Sequence, residues 1–78
     1  QSAGKHEQEA WIRLGMELLD ESEKEILVLR QWEGLSFKEI GERLNIKHNT
    51  ARMRNERALA HLAEKVGTLR RGEWGKDD

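Results

Sequence analysis

Apolar residues recur along this chain at three- and four-residue intervals, the spacing of one face of an α-helix. Nowhere do they alternate with polar residues at the period of two that a half-buried strand needs. Trp11, Leu14 and Leu18 form one stripe, with Ile12 and Leu19 beside it, which predicts a first helix from about Glu7 to Leu19. Next comes Ser22-x-x-Glu25, the spacing of a capping box, whose hydroxyl and carboxylate satisfy two amides left free at a helix start. The helix it opens carries Ile26, Leu27, Leu29 and Trp32, and Gly34 is placed to end it in a left-handed conformation. Ser36-x-x-Glu39 repeats the capping spacing and opens a short third helix with Phe37, Ile40 and Leu44 on one face. A fourth helix is expected to start at Asn49 or Thr50 and to run to about Val66. After Gly67 the pattern stops, and Gly67, Gly72 and Gly75 punctuate a polar tail in which Leu69 and Trp74 are expected to be frayed. The expected fold is all-α: a four-helix helix-turn-helix domain without a wing, over residues 7–66. Residues 1–6 read as a linker or cloning remnant, and 67–78 as a flexible tail.

The segment from Phe37 to Arg57 is the most specific. Ile40 and Leu44 point inward, and Gly41 between them lets a following helix cross closely. Asn45 stands at the helix end, where the chain must turn left-handed, a conformation Asn tolerates. Ile46 can plug the gap, Lys47, His48 and Asn49 make the turn, and Asn49 or Thr50 can cap the next helix. An ordinary helical hairpin explains the periodicity but not the Gly41–Asn45–Ile46 arrangement. Turning the fourth helix by about 100° per residue gathers Ala51, Asn55, Ala58, Leu62 and Val66 on the packed side. Arg52, Met53, Glu56 and Arg57 then fall on the opposite face near the helix start, the end that recognition helices present to base edges in the major groove. Lys47 and Arg54 flank that surface, with Arg43 near it, where phosphates would run.

Charge supports the same division. The chain of 78 residues has a net charge of −1, but the total hides an asymmetry. Residues 1–42 carry five Lys/Arg against ten Asp/Glu, and residues 43–78 carry nine against five. The basic half is expected to face an anionic partner, and the acidic half to face away from it and serve a protein. Other chemistries have little support. There is no Cys for a disulfide, a thiolate zinc site or a nucleophile. His6, His48 and His61 are too widely spaced to suggest a metal cluster, so no metal or other cofactor is expected. A body this small rarely lines a deep cleft, and its Glu and His residues form no acid–base pair, so no enzyme activity is expected. The sequence has no apolar run long enough to span a membrane and no basic-then-apolar leader, so a cytoplasmic protein with no membrane partner is expected.

The stretch from Glu25 to Leu59, EILVLRQWEGLSFKEIGERLNIKHNTARMRNERAL, closely resembles region 4 of bacterial RNA polymerase sigma factors of the extracytoplasmic-function (ECF) type. The most diagnostic pieces are ILVLRQWEGLSFKEI and the T-x-R-x-R-x-x-R-A pattern from Thr50 to Ala58. Only Glu33-Gly34-Leu35 joins the second and third helices, where primary sigma factors carry an extended loop. Family members commonly have Leu or Ile where Asn55 stands, so Asn55 is expected to cap backbone of the turn or sit at the core's edge.

The resemblance implies that this domain reads the −35 promoter element, with Arg52 and Arg57 approaching bases or the adjacent backbone and Thr50 and Arg54 touching phosphates. It also implies that the helices clasp the flap-tip helix of the polymerase β subunit and that an anti-sigma factor is the regulator. Leu18, Leu19 and Leu35 are expected to stay partly exposed and line the groove for the flap helix. The promoter-opening region 2 is not in this sequence, so the chain is expected to bind, as a monomer, without initiating transcription. Two other classes fit the pattern less well. A LuxR-type output domain of a response regulator would show T-V-K-x-H in the recognition helix and dimerise through its last helix. A module that binds polymerase without touching DNA would enrich no promoter sequence.

Overall fold

The computed structural model describes residues 2–72, with side chains from residue 7 onward. Four helices run in the order α1 (Ser2–Glu17), α2 (Glu21–Leu27), α3 (Phe37–Leu44) and α4 (His48–Arg70), and α2 continues into a π-helical turn over Val28–Trp32. The described part is all-helical, as its periodicity requires. Helix α1 starts at Ser2, ahead of the expected Glu7, and ends before Leu18. The chain leaves the helix there through two tight bonds, Leu18 N–H to Gly15 O at 3.0 Å and Leu19 N–H to Met16 O at 3.1 Å.

Asp20, rather than Ser22, caps α2. Its carboxylate accepts from Glu23 N–H at 2.9 Å, and Glu23 Oε1 accepts from Asp20 N–H at 3.4 Å. Ser22 instead donates its hydroxyl to the same Asp20 oxygen at 3.0 Å. These donors favour the charged form and hold the Asp20 carboxyl below its ordinary pKa. With the cap at Asp20, Leu19 lies in the connection just before α2 and is buried in the core, where it is 6% exposed. The second expected box forms as read. Ser36 Oγ accepts from Glu39 N–H at 3.0 Å, and Glu39 Oε1 accepts from Ser36 N–H at 2.8 Å, which lowers the Glu39 pKa in the same way.

The π turn changes what α2 presents. Glu33 N–H bonds to Val28 O at 3.0 Å, an i→i+5 closure, and Leu35 N–H reaches back to Leu29 O at 3.0 Å across Gly34 at φ 71°. A π turn holds more residues per turn than an α turn, so it swings Trp32 off the Ile26–Leu29 stripe. Leu29 is buried and Trp32 is 58% exposed, where the α-helical spacing puts both inward.

Leu19, Ile26, Leu27, Leu29, Ile40, Ala51, Ala58 and Leu62 form one core, with Ile12, Met16, Leu35, Phe37, Leu44, Ile46 and Val66 packed on its edge. Gly15 lets α1 close on α4: a Cβ there would lie 2.9 Å from both Leu62 Cδ1 and Val66 Cγ2. Helix α4 continues past the expected end at Val66 to Arg70, and Leu69 is buried, not frayed. Packing against α1 carries the helix through Gly67, whose weak propensity predicts a stop. Trp74 and Gly75 lie outside the described residues.

Candidate nucleic-acid interface

The corner between α3 and α4 is built as the sequence predicts. Asn45 takes the left-handed conformation (φ 59°, ψ 47°), and Ile46 N–H closes the turn on Gly41 O at 2.8 Å. A Cβ on Gly41 would lie 2.6 Å from Ile46 O and 3.3 Å from His48 N, so the absent side chain is what allows the backbone to cross there. The cap of α4 differs from expectation. Lys47 occupies the capping position in an extended conformation, and no side chain bonds the first amides of the helix. Those free N–H groups, with the positive end of the helix dipole, make the start of α4 favourable for a phosphate.

Asn49 is thereby released from capping, and its side chain turns along the outer face. Its Oδ1 accepts from Arg52 Nη2 at 2.7 Å, while Arg52 Nη1 donates to Glu56 Oε2 at 3.2 Å. Arg52, Met53 and Glu56 are all exposed on this face, and Ala51, Asn55 and Ala58 are buried behind them. Asn49 is a site residue that the sequence reading assigned to the turn. The same rotation of about 100° per residue sets it beside Met53 and Glu56, so the signal was there.

The other cations surround this face. Arg43 lies in the last turn of α3 and Lys47 caps α4, both exposed at the corner. Thr50, Arg54, Arg57 and His61 share a stripe at helical spacing, with Thr50 half-buried and the other three exposed. Arg54, Arg57 and His61 line a cleft of about 280 Å³ with Asp20, Ser22, Glu23 and Ile26 at the start of α2. Arg57, one helical turn after Met53, keeps its place on the outer face and also borders this cleft with Arg54, beside the α2 start. His61 Nδ1 contacts Glu23 Oε2 across the cleft and ties α4 to α2. Asn55 caps nothing: it is 5% exposed, and its Oδ1 has no hydrogen-bond partner among the described residues.

A second surface lies on the acidic half. Leu18 is exposed as expected, but Leu19 belongs to the core, and Leu35 is half-buried with its carbonyl accepting from Arg30 Nη1 at 2.9 Å. The Arg30 guanidinium also stacks on the Phe37 ring, 4.3 Å from its centroid, which closes that corner of the molecule. Leu14 on α1 and Val28 and Trp32 on the π turn are further exposed apolar groups of this half. Val28 and Trp32, with Arg13, Met16, Glu17 and Glu33, line a shallow depression of about 440 Å³ between α1 and the π turn.

Among the described residues, no cluster of His, Asp and Glu has a metal-binding arrangement, and no helix is long and apolar enough to cross a membrane. No curated protein and no solved structure matches the chain significantly. The family model of sigma-70 region 4 matches residues 15–64. The chain belongs to the sigma-70 region 4 family. The match runs from the end of α1, through the cleft, the π turn and the corner, to the middle of α4. It thus covers every element of the interface described above, and the chain is a DNA-binding region 4 of a sigma-like factor.

Proposed function

We propose that this domain reads the −35 promoter element as region 4 of an ECF sigma factor and so directs RNA polymerase to its promoters. The observation that carries this reading is the face of α4 described above. Four exposed side chains that can reach base edges, Arg52, Met53, Glu56 and Arg57, stand beside the flanking cations Arg43, Lys47 and Arg54. Base-edge groups specify, and the surrounding cations position the helix on the backbone. The ECF assignment is supported by the short passage from the π turn to α3, which leaves only residues 33–36 between them.

The polymerase is the second partner in this reading. The depression at Val28 and Trp32, with exposed Leu18 just after α1, takes the apolar face of the flap-tip helix, and the same half of the chain receives an anti-sigma factor. The domain acts as a cytoplasmic monomer and performs no catalysis. Selection from a random duplex library tests the promoter reading directly. A recovered −35-like motif is the expected result, and a pool that stays random refutes it.

A further inference from the structure

Arg52 does not wait free on the surface. Its guanidinium is held from both sides by residues on neighbouring turns, by Asn49 Oδ1 at 2.7 Å and by Glu56 Oε2 at 3.2 Å. The helix itself sets this cradle, because positions three before and four after a residue lie on the same face. Asn49 has no competing duty, since Lys47 is the cap. We propose that Asn49 and Glu56 are positioning residues that hold Arg52 for one G·C pair, a specificity that rests on the promoter-reading function above.

The donor inventory supports guanine. Arginine has five N–H groups, and the two bonds use one on each terminal nitrogen. One hydrogen remains on each of those nitrogens, besides the Nε–H. The donors left over are enough for guanine O6 and N7, whereas adenine sets its own N6 donor against an arginine. An arginine held beforehand loses less freedom on docking than one that must be ordered by the DNA. Glu56, an acidic group in a basic patch, then orients the guanidinium at the expense of some attraction for phosphate.

The test starts from the duplex that the full chain selects, and measures binding to it and to duplexes with one base pair changed. Arg52→Ala is expected to lose roughly ten- to a hundredfold of discrimination at one G·C pair. Asn49→Ala is expected to lose about three- to tenfold at that same pair, and nothing further when added to Arg52→Ala. Asn49→Asp and Glu56→Gln keep an acceptor and are expected to retain most of that discrimination, although Asn49→Asp weakens binding to every duplex. All three residues are exposed, so thermal midpoints should stay at the wild-type value. A uniform loss on all duplexes for Asn49→Ala, or a change at a different base pair, overturns the proposal. A wild type that selects no sequence overturns the promoter reading and this inference together. A wild type that selects one, with Asn49→Ala unchanged at every position, overturns this inference alone.

Discussion

Asn55 offers the sharpest test of how the recognition helix is seated. It lies on the packed side of α4 between Ala51 and Ala58, both fully buried, and its Oδ1 is enclosed without a partner. An unsatisfied buried acceptor costs about 1–3 kcal/mol. Leucine has nearly the same branched outline as asparagine and carries no polar atom, so Asn55→Leu removes the penalty without opening a cavity. Its methyl groups are larger than the amide atoms, which costs some of the gain through tighter packing. The net expectation is a domain more stable by about 1–2 kcal/mol, and for a chain of this size that raises Tm by roughly 5–15 °C. Thermal and urea melts followed by far-UV circular dichroism measure it, and an unchanged urea slope shows that the unfolded state is not the cause. Asn55→Asp should move the other way, because a carboxylate cannot stay charged there without a partner. A lower Tm for Asn55→Leu would mean that the amide is satisfied in solution, by water or by the turn, and would sink the argument.

Three further outcomes are expected. Gly41→Val should destabilise the domain by at least the roughly 1–3 kcal/mol typical of overpacking, and should weaken DNA binding, because its Cβ meets the Ile46 backbone. Gly15→Ala should cost less in the same denaturation assay, since its neighbours are the side chains of Leu62 and Val66, which can move. Asp20 and Glu39 have lowered pKa values in the folded state, so their contribution is present above the ordinary values of 3.8 and 4.5 and is lost as pH falls through the folded ones. A pH series of melts should therefore show an acid limb, and Asp20→Asn, which keeps the acceptor without the titration, should flatten it. With Arg43, Lys47 and Arg54 neutralising about three phosphates, log affinity should fall against log salt with a slope near −2.7, and Arg54→Ala should reduce that slope by about 0.9 in a fluorescence titration at several salt concentrations.

The chain's helices and its corner were legible because their signals are local. Gly41, Asn45 and the Ser36–Glu39 box act within a few residues, through sterics and backbone amides that the intervening sequence cannot alter. The choice between two overlapping caps was not local. Asp20-x-x-Glu23 and Ser22-x-x-Glu25 have the same spacing, and in the folded chain the first forms, directly after the buried Leu19. Leu19 was consequently read as a groove residue when it is a core residue. Trp32 shares the helical spacing of Ile26 and Leu29, yet the π turn sets it outside, and no periodicity announces a π turn.

The recognition face divides in the same way. Helical rotation alone determined that Arg52, Met53 and Glu56 point away from the body, since that follows from about 100° per residue and a buried Ala51. Only the tertiary structure decided that the stripe of Arg54, Arg57 and His61 lies beside the start of α2, because that cleft exists only once α2 and α4 are packed. The end of α4 was decided in the same way: Gly67 is a local stop signal, and burial of Leu69 overrides it. Local sterics and hydrogen bonding are written in neighbouring residues, whereas burial depends on which distant side chains arrive at the same place.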